Sequence, residues 1–287
     1  MVRAYLHKEG RDALDQIKIL FLETESPLNI KALGDQLKIF SGENTKEIND
    51  DERTLLFDIV DRYLYDQTIV YHCMYSLSCN IKEGLVFMNN SVTTSRMCIT
   101  TNSVCKVYSK NTLIVNLMAC ILANLTKHKE AVGFLVQYGF QNNFLEMMKT
   151  AMASEVDHTA KYKLGLLWCG RIFNNIFVSG LYDDDFFESF GMNALRLLIE
   201  GMSSTSDYYT FEDSVDTIIN IYEEMKTGSK SQKVFYQYLY GCVNFETFLC
   251  TQIKKFQDQK KRFKQLIVPR LVNCKLVSCE KFTEKCL

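Results

Sequence analysis

Proline is nearly missing from this chain. Only Pro27 and Pro269 occur, beside a single tryptophan, Trp168, and 13 glycines. So few turn-forming residues exclude collagen, Pro-rich linkers and extensive disorder, and they weigh against a sandwich full of tight turns. Long apolar runs are missing too. No window approaches the roughly 18 uninterrupted apolar residues of a membrane span, so none is expected. The first 16 residues, Met1–Gln16, hold no apolar stretch of the length a secretory signal needs, which points to a cytoplasmic or nuclear protein. Net charge is also close to absent: −1 over 287 residues, so the whole molecule is not a polyelectrolyte built for nucleic acid.

What is present is an ordinary supply of core material, 47% hydrophobic against 23% charged residues. Eleven cysteines are an odd number at irregular spacing, unlike a disulfide framework. Cys73, Cys98, Cys120, Cys169 and Cys250 stand among apolar neighbours, where a reduced thiol behaves as a small hydrophobe. They read as free thiols in a reducing compartment.

Helical periodicity dominates. Leu14, Ile17, Leu20 and Phe21 form one apolar stripe, and Leu33, Leu37 and Phe40 another. Asp50–Tyr65 begins with acidic residues that suit the positive end of a helix. Further runs cover Ile114–Leu125, Ala131–Tyr138, Asn143–Met152, Tyr162–Phe177, Met192–Met202, Phe211–Met225 and Lys233–Phe256. Strict alternation is almost absent, so the predicted fold class is all-α. One segment breaks the rhythm. Ser91–Ser109 carries eight Ser or Thr residues and no helical stripe, which predicts a long exposed loop or an insertion, poorly packed and protease-sensitive.

The chain is weakly self-similar. Lys129–Leu135 echoes Lys82–Met88 at an offset of 47, and Phe134–Gly139 is echoed by Phe186–Gly191 at an offset of 52. An apolar helix precedes and follows each copy of the second motif. Its Gly suits a helix end that needs positive φ. The unit is a long helix, a short helix ending in Gly, then another helix.

This arrangement resembles the armadillo repeat. The best stretch is Leu113–Thr150, where Leu117–Leu125 is similar to the family's third helix with its Asn124-Leu125 ending. Lys163–Met202 is similar to a second copy. The resemblance implies an α-solenoid spanning residues 1–287 as one domain. It has N-terminal helices at 1–67, the clearest repeats at 68–202 with a loop at 91–109, and capping helices at 203–287. It further implies a non-enzymatic scaffold or adaptor that binds a partner protein or peptide. In that family an Asn near the end of the third helix holds an extended peptide by its backbone. Asn124 matches that place, and Cys120 stands where the family has Trp four residues earlier. Trp168 takes a similar place in the next unit, with Asn174 or Asn175 six or seven residues downstream.

Catalysis has no support. There is no phosphate-cradling GxxxxGK[ST], no GxGxxG, no GxSxG and no HExxH. No cofactor follows, and no metal centre, because His72-Cys73 and Cys79 lack a second ligand pair. Asp183-Asp184-Asp185 reads as a helix cap ahead of Phe186 and Phe187. Charge is uneven, however. Residues 251–287 hold ten Lys or Arg against three acids, +7, while the rest of the chain carries −8. A basic C-terminal helix over 254–270, with Lys254, Lys255, Lys260, Lys261, Arg262 and Lys264, is expected either to cap the last repeat or to meet nucleic acid or chromatin.

Overall fold

The computed structural model describes residues 2–23, 26–42, 48–81, 91–156, 165–278 and 282. Within them the secondary structure is helical, with no strand. The chain divides into two compact units, Met1–Phe140 and Gln141–Leu287. The repeat copy Lys82–Met88 lies outside the described residues.

The first unit holds α1 (Val2–Leu22), α2 (Pro27–Gly42), α3 (Asp50–Arg62), α4 (Gln67–Ile81), α5 (Ser91–Tyr108), α6 (Thr112–Leu125) and α7 (Lys129–Gln137). Side-chain caps start several of them. Asn49 accepts from the Glu52 amide while Glu52 reaches back to the Asn49 amide, both at 2.9 Å, a capping box that opens α3. Asn111 caps α6 by accepting from the Ile114 amide at 3.1 Å. Packing then alternates. α1 lies on α2, α2 on α4 and α4 on α6, while α3 lies on α5 and α5 on α7. Short connections hold α3 to α4 and α5 to α6. Gly139, at φ +71, closes the turn after α7 as the sequence predicts.

Helix α5 corrects the expected loop at 91–109. Thr94, Met97, Cys98, Thr101, Val104 and Cys105 are all buried, at helical spacing. The stripe exists, but it is written in hydroxyl, thiol and thioether side chains rather than in Leu or Ile. Threonine offers a methyl group to the core, and a buried thiol packs as a small hydrophobe. Asn102 donates to the Tyr138 carbonyl at 2.9 Å, and Ser95 meets the Tyr138 hydroxyl at 2.8 Å, so α5 is bolted to the end of α7. Protease sensitivity is therefore not expected here.

The second unit holds α8 (Phe140–Val156), α9 (Gly165–Val178), α10 (Asp184–Phe186), α11 (Met192–Ser204), α12 (Tyr208–Glu224), α13 (Lys230–Gln237), α14 (Phe245–Ile253), α15 (Lys260–Leu266) and α16 (Val268–Asn273). Asp183 caps α10, accepting from the Phe186 amide at 2.8 Å, which bears out its reading as a cap. Helices α10 and α13 each run on into a π-helical turn, Phe187–Gly191 and Tyr238–Val243. Gly241 follows Gly191 by 50 residues, a further echo of the same motif. Gly191 is no helix end. A Cβ there would meet the Phe187 ring at 2.5 Å and the Phe177 ring at 2.9 Å, so Gly is required by close packing. Those rings belong to a buried cluster in which Phe173 and Phe177 lie 5.0 Å apart, edge to face.

Two runs break where periodicity alone predicts continuity. Lys233–Phe256 is interrupted at Asn244, whose φ of 50 ends the π turn and starts α14. The basic helix expected over 254–270 is instead a turn, a 3-10 turn at Gln257–Gln259, α15 and α16. Pro269 sits in the first turn of α16, where its missing amide costs nothing but where a helix arriving from α15 could not pass unbroken. On the apolar faces of their helices, Ile121, Leu125, Leu135, Leu166, Ile172, Phe187 and Leu198 are buried. Leu117, Phe134 and Leu145 are only half-buried, with neighbours such as Met118 and Phe144 taking the deep positions. Cys73, Cys98 and Cys169 are buried free thiols, and burial pushes Cys98 and Cys169 up to about 12. Cys250 departs from the expectation and is disulfide-bonded.

Truncating Leu135, 1% exposed, to Ala should cost about 2–5 kcal/mol in urea unfolding. Gly191→Ala should cost about 1–3 kcal/mol by overpacking two buried rings, and Gly139→Ala should lose stability through its positive φ instead.

Candidate functional site

In the first unit, α2, α4 and α6 lie side by side, and each leaves one stripe open. On α6 that stripe is Leu113, Leu117, Cys120 and Asn124, half-buried or exposed together with Thr112 and Asn116, on a helix whose other residues are buried. On α4 it is Thr68, Tyr71, His72 and Tyr75, with the Tyr71 and Tyr75 rings stacked at 6.0 Å. On α2 it includes Lys31, Asp35 and Ile39. Asn124 and Cys120 are thus neighbours. The Asn124 amide donates to the Cys120 carbonyl at 3.0 Å, and its oxygen accepts from Lys127 at 2.9 Å. One amide hydrogen is left over by these two bonds.

His72 faces Ser41, with Nδ1 2.7 Å from the hydroxyl. The pair has the residue types of a nucleophile and its base. The Ser41 hydroxyl also lies 3.1 Å from the Lys38 carbonyl, and the tautomer of His72 sets which of the two atoms donates. Burial, and then the Lys38 ammonium, lower the His72 pKa.

In the second unit, Trp168, Arg171 and Asn174 share the open stripe of α9, facing Asp213, Asp216 and Asn220 on α12. The Arg171 guanidinium lies 4.9 Å over the Trp168 ring and bonds both Asp213 oxygens at 3.0 and 3.2 Å. Asn220 donates to Asn174 at 2.8 Å and accepts from Arg270 at 2.7 Å. Arg270 also reaches Asp216 at 2.9 Å and Glu223 at 2.7 Å. Arg262 bonds the nearly buried Glu212 at 3.0 and 3.1 Å, and the Tyr208 hydroxyl donates to the same carboxylate. Burial raises the Asp216 pKa against the pull of Arg270.

Arg171, Glu212, Asp213, Asp216, Arg262 and Arg270 border a cleft of about 460 Å³ whose walls also include Tyr209, Leu266 and Ile267. Its three arginines are all committed to carboxylates. The ion pairs act as latches that seat α15 and α16 on α12, and a charged ligand would have to break them. Arg262, expected as part of a basic patch, is therefore structural. The lysines of that patch differ. Lys254, Lys255, Lys260, Lys261 and Lys264 form no ion pair among the described residues, and Lys255 donates to the Ser203 carbonyl at 2.8 Å. Periodicity could not separate the two kinds of cation. The residue types could have, since planar, bidentate Arg is preferred for fixed carboxylate partners.

Among the described residues no cluster of three His, Cys, Asp or Glu could hold a metal. No helix among them is long and apolar enough to cross a membrane. The lowered His72 pKa carries a sign. Neutral His72 contributes stability above its unfolded value of about 6.5, and that contribution is lost as pH falls through the folded value. Denaturant midpoints measured from neutral pH downward should fall over this range, and less steeply in His72→Gln. Protein-family models, curated proteins and solved structures yield no match to this chain.

Proposed function

We propose that this chain is a non-enzymatic protein-binding scaffold, an α-solenoid of irregular armadillo-like repeats, whose partner lies across α2, α4 and α6. The observation that carries the reading is the set of apolar and aromatic side chains that these three adjacent helices leave outside the core. Ile39, Tyr75 and Leu113 are exposed there at 43, 36 and 36%, beside half-buried Tyr71, Leu117 and Cys120. Contiguous apolar and aromatic side chains left outside a core mark an interaction surface more often than a passive one. The alternating packing of the first unit supports the repeat reading, because stacked helical hairpins bring every second helix together. Asn124 supplies a polar point on that face, with an amide hydrogen available for a partner's carbonyl. Trp168 and Asn174 form the corresponding stripe on α9, already bridged to α12 through Arg171 and Asn220.

Affinity capture from native cells with the full chain tests this. Tyr75→Glu combined with Leu117→Glu should lose the captured protein while the melting midpoint stays close to that of the parent chain. Asn124→Ala should weaken capture and change stability by under about 1 kcal/mol, since its bonds are local and half-exposed. An unchanged set of captured proteins with the double Glu variant would reject the face.

A further inference from the structure

We propose that the lysine ridge at 254–264 docks the phosphate backbone of double-stranded nucleic acid without reading its sequence. This goes beyond the protein-binding face, which lies on other helices. The argument begins with how the C-terminal segment divides its cations. Arg262 and Arg270 turn toward α12 and are neutralised by Glu212, Asp216 and Glu223. The five lysines in the same stretch have no acidic partner among the described residues. Four of them, Lys254, Lys255, Lys261 and Lys264, are exposed, and the fifth is half-buried. Within eleven consecutive residues the surface therefore holds five positive charges against one acid, Asp258. In a chain of net charge −1, the rest of the molecule does not repeat that concentration.

The ridge is held still. Phe263 is fully buried and stacks on Phe211 at 5.7 Å, and Phe256 stacks on the same ring at 5.4 Å. With the Arg262 latch, these contacts fix α15 and the turn before it, so the ammonium groups project from an ordered base. Binding then costs mainly side-chain entropy rather than the folding of a tail.

The surroundings select the partner. From Lys254 to Gln265 every exposed residue is Lys, Arg, Gln or Asp. The exposed Leu266, and the exposed Tyr209 whose ring lies 5.7 Å from the Arg262 guanidinium, both line the cleft instead. A membrane surface would be expected to find an apolar or aromatic wedge beside the charges, and single strands need aromatic platforms for base stacking. Neither stands on this ridge. Compact, flexible ammonium groups with amide donors between them suit phosphate oxygens, and they lack the bidentate fork that reads guanine.

The test uses the full chain and a labelled random-sequence duplex of about 20 base pairs, read by anisotropy. Five lysines imply a sequence-independent Kd of about 1–100 µM, and a log–log salt slope near −4 between about 50 and 200 mM. Lys261→Glu with Lys264→Glu should weaken binding at least about tenfold without moving the melting midpoint, and the same pair changed to Arg should retain it. Absence of binding at about 50 mM salt, or binding unmoved by the charge reversal, overturns the proposal. So does tighter binding to phosphatidylserine vesicles, to a polyglutamate peptide or to single strands than to the duplex.

Discussion

A helix that is apolar around most of its circumference must be covered from more than one side, and this requirement organises both units. Helix α6 buries eight of its 14 residues, α9 eight of 14 and α12 ten of 17. No single neighbour can hide so wide a face. Helix α6 is accordingly covered by α4 and by α5, and α12 by α9 and α11, with α15 and α16 latched onto its polar edge. The stripe that escapes burial is then narrow, and its position is set by the neighbours. That is why the open residues of α6 lie close together rather than being scattered, whereas α2, which buries five of its 16 residues, leaves a broader face.

Close helix approach follows from the same demand. Gly201 lies so near Leu166 that a Cβ would sit 2.6 Å from that side chain, and Gly191 meets two phenylalanine rings. Small residues here set the distance between helices. The π turns at 187–191 and 238–243 serve a related end, shifting the angular phase of the following residues so that Phe187, Phe190 and Leu239 all point inward.

Element type was legible wherever large apolar residues recur with helical spacing, and the Asp183 cap and the Gly139 turn could be read from residue chemistry alone. Helix α5 was not legible, because its buried face mixes Thr, which composition assigns to surfaces and turns, with Cys, Met97 and Val104 in place of Leu or Ile. The interruption at Asn244 was hidden for another reason. An Asn at positive φ looks in sequence like any polar residue on a helix. Of the site residues, a four-residue spacing places Asn124 with Cys120 on one stripe, whereas Trp168 and Asn174, six apart, are paired by the resemblance and not by helical spacing. Sequence could not show that Asn124 already bonds its own helix, or that Arg171 bridges Trp168 to Asp213, because both depend on which side chains come within reach after packing.

Dividing the C-terminal cations by type has a consequence for regulation. Acetyl transfer acts on ammonium groups and leaves guanidinium untouched. Lys254, Lys261 and Lys264 are exposed, while the latches onto Glu212 and Asp216 are built from Arg262 and Arg270. The outward charge of this segment can therefore be erased one lysine at a time while the helices that carry it stay seated.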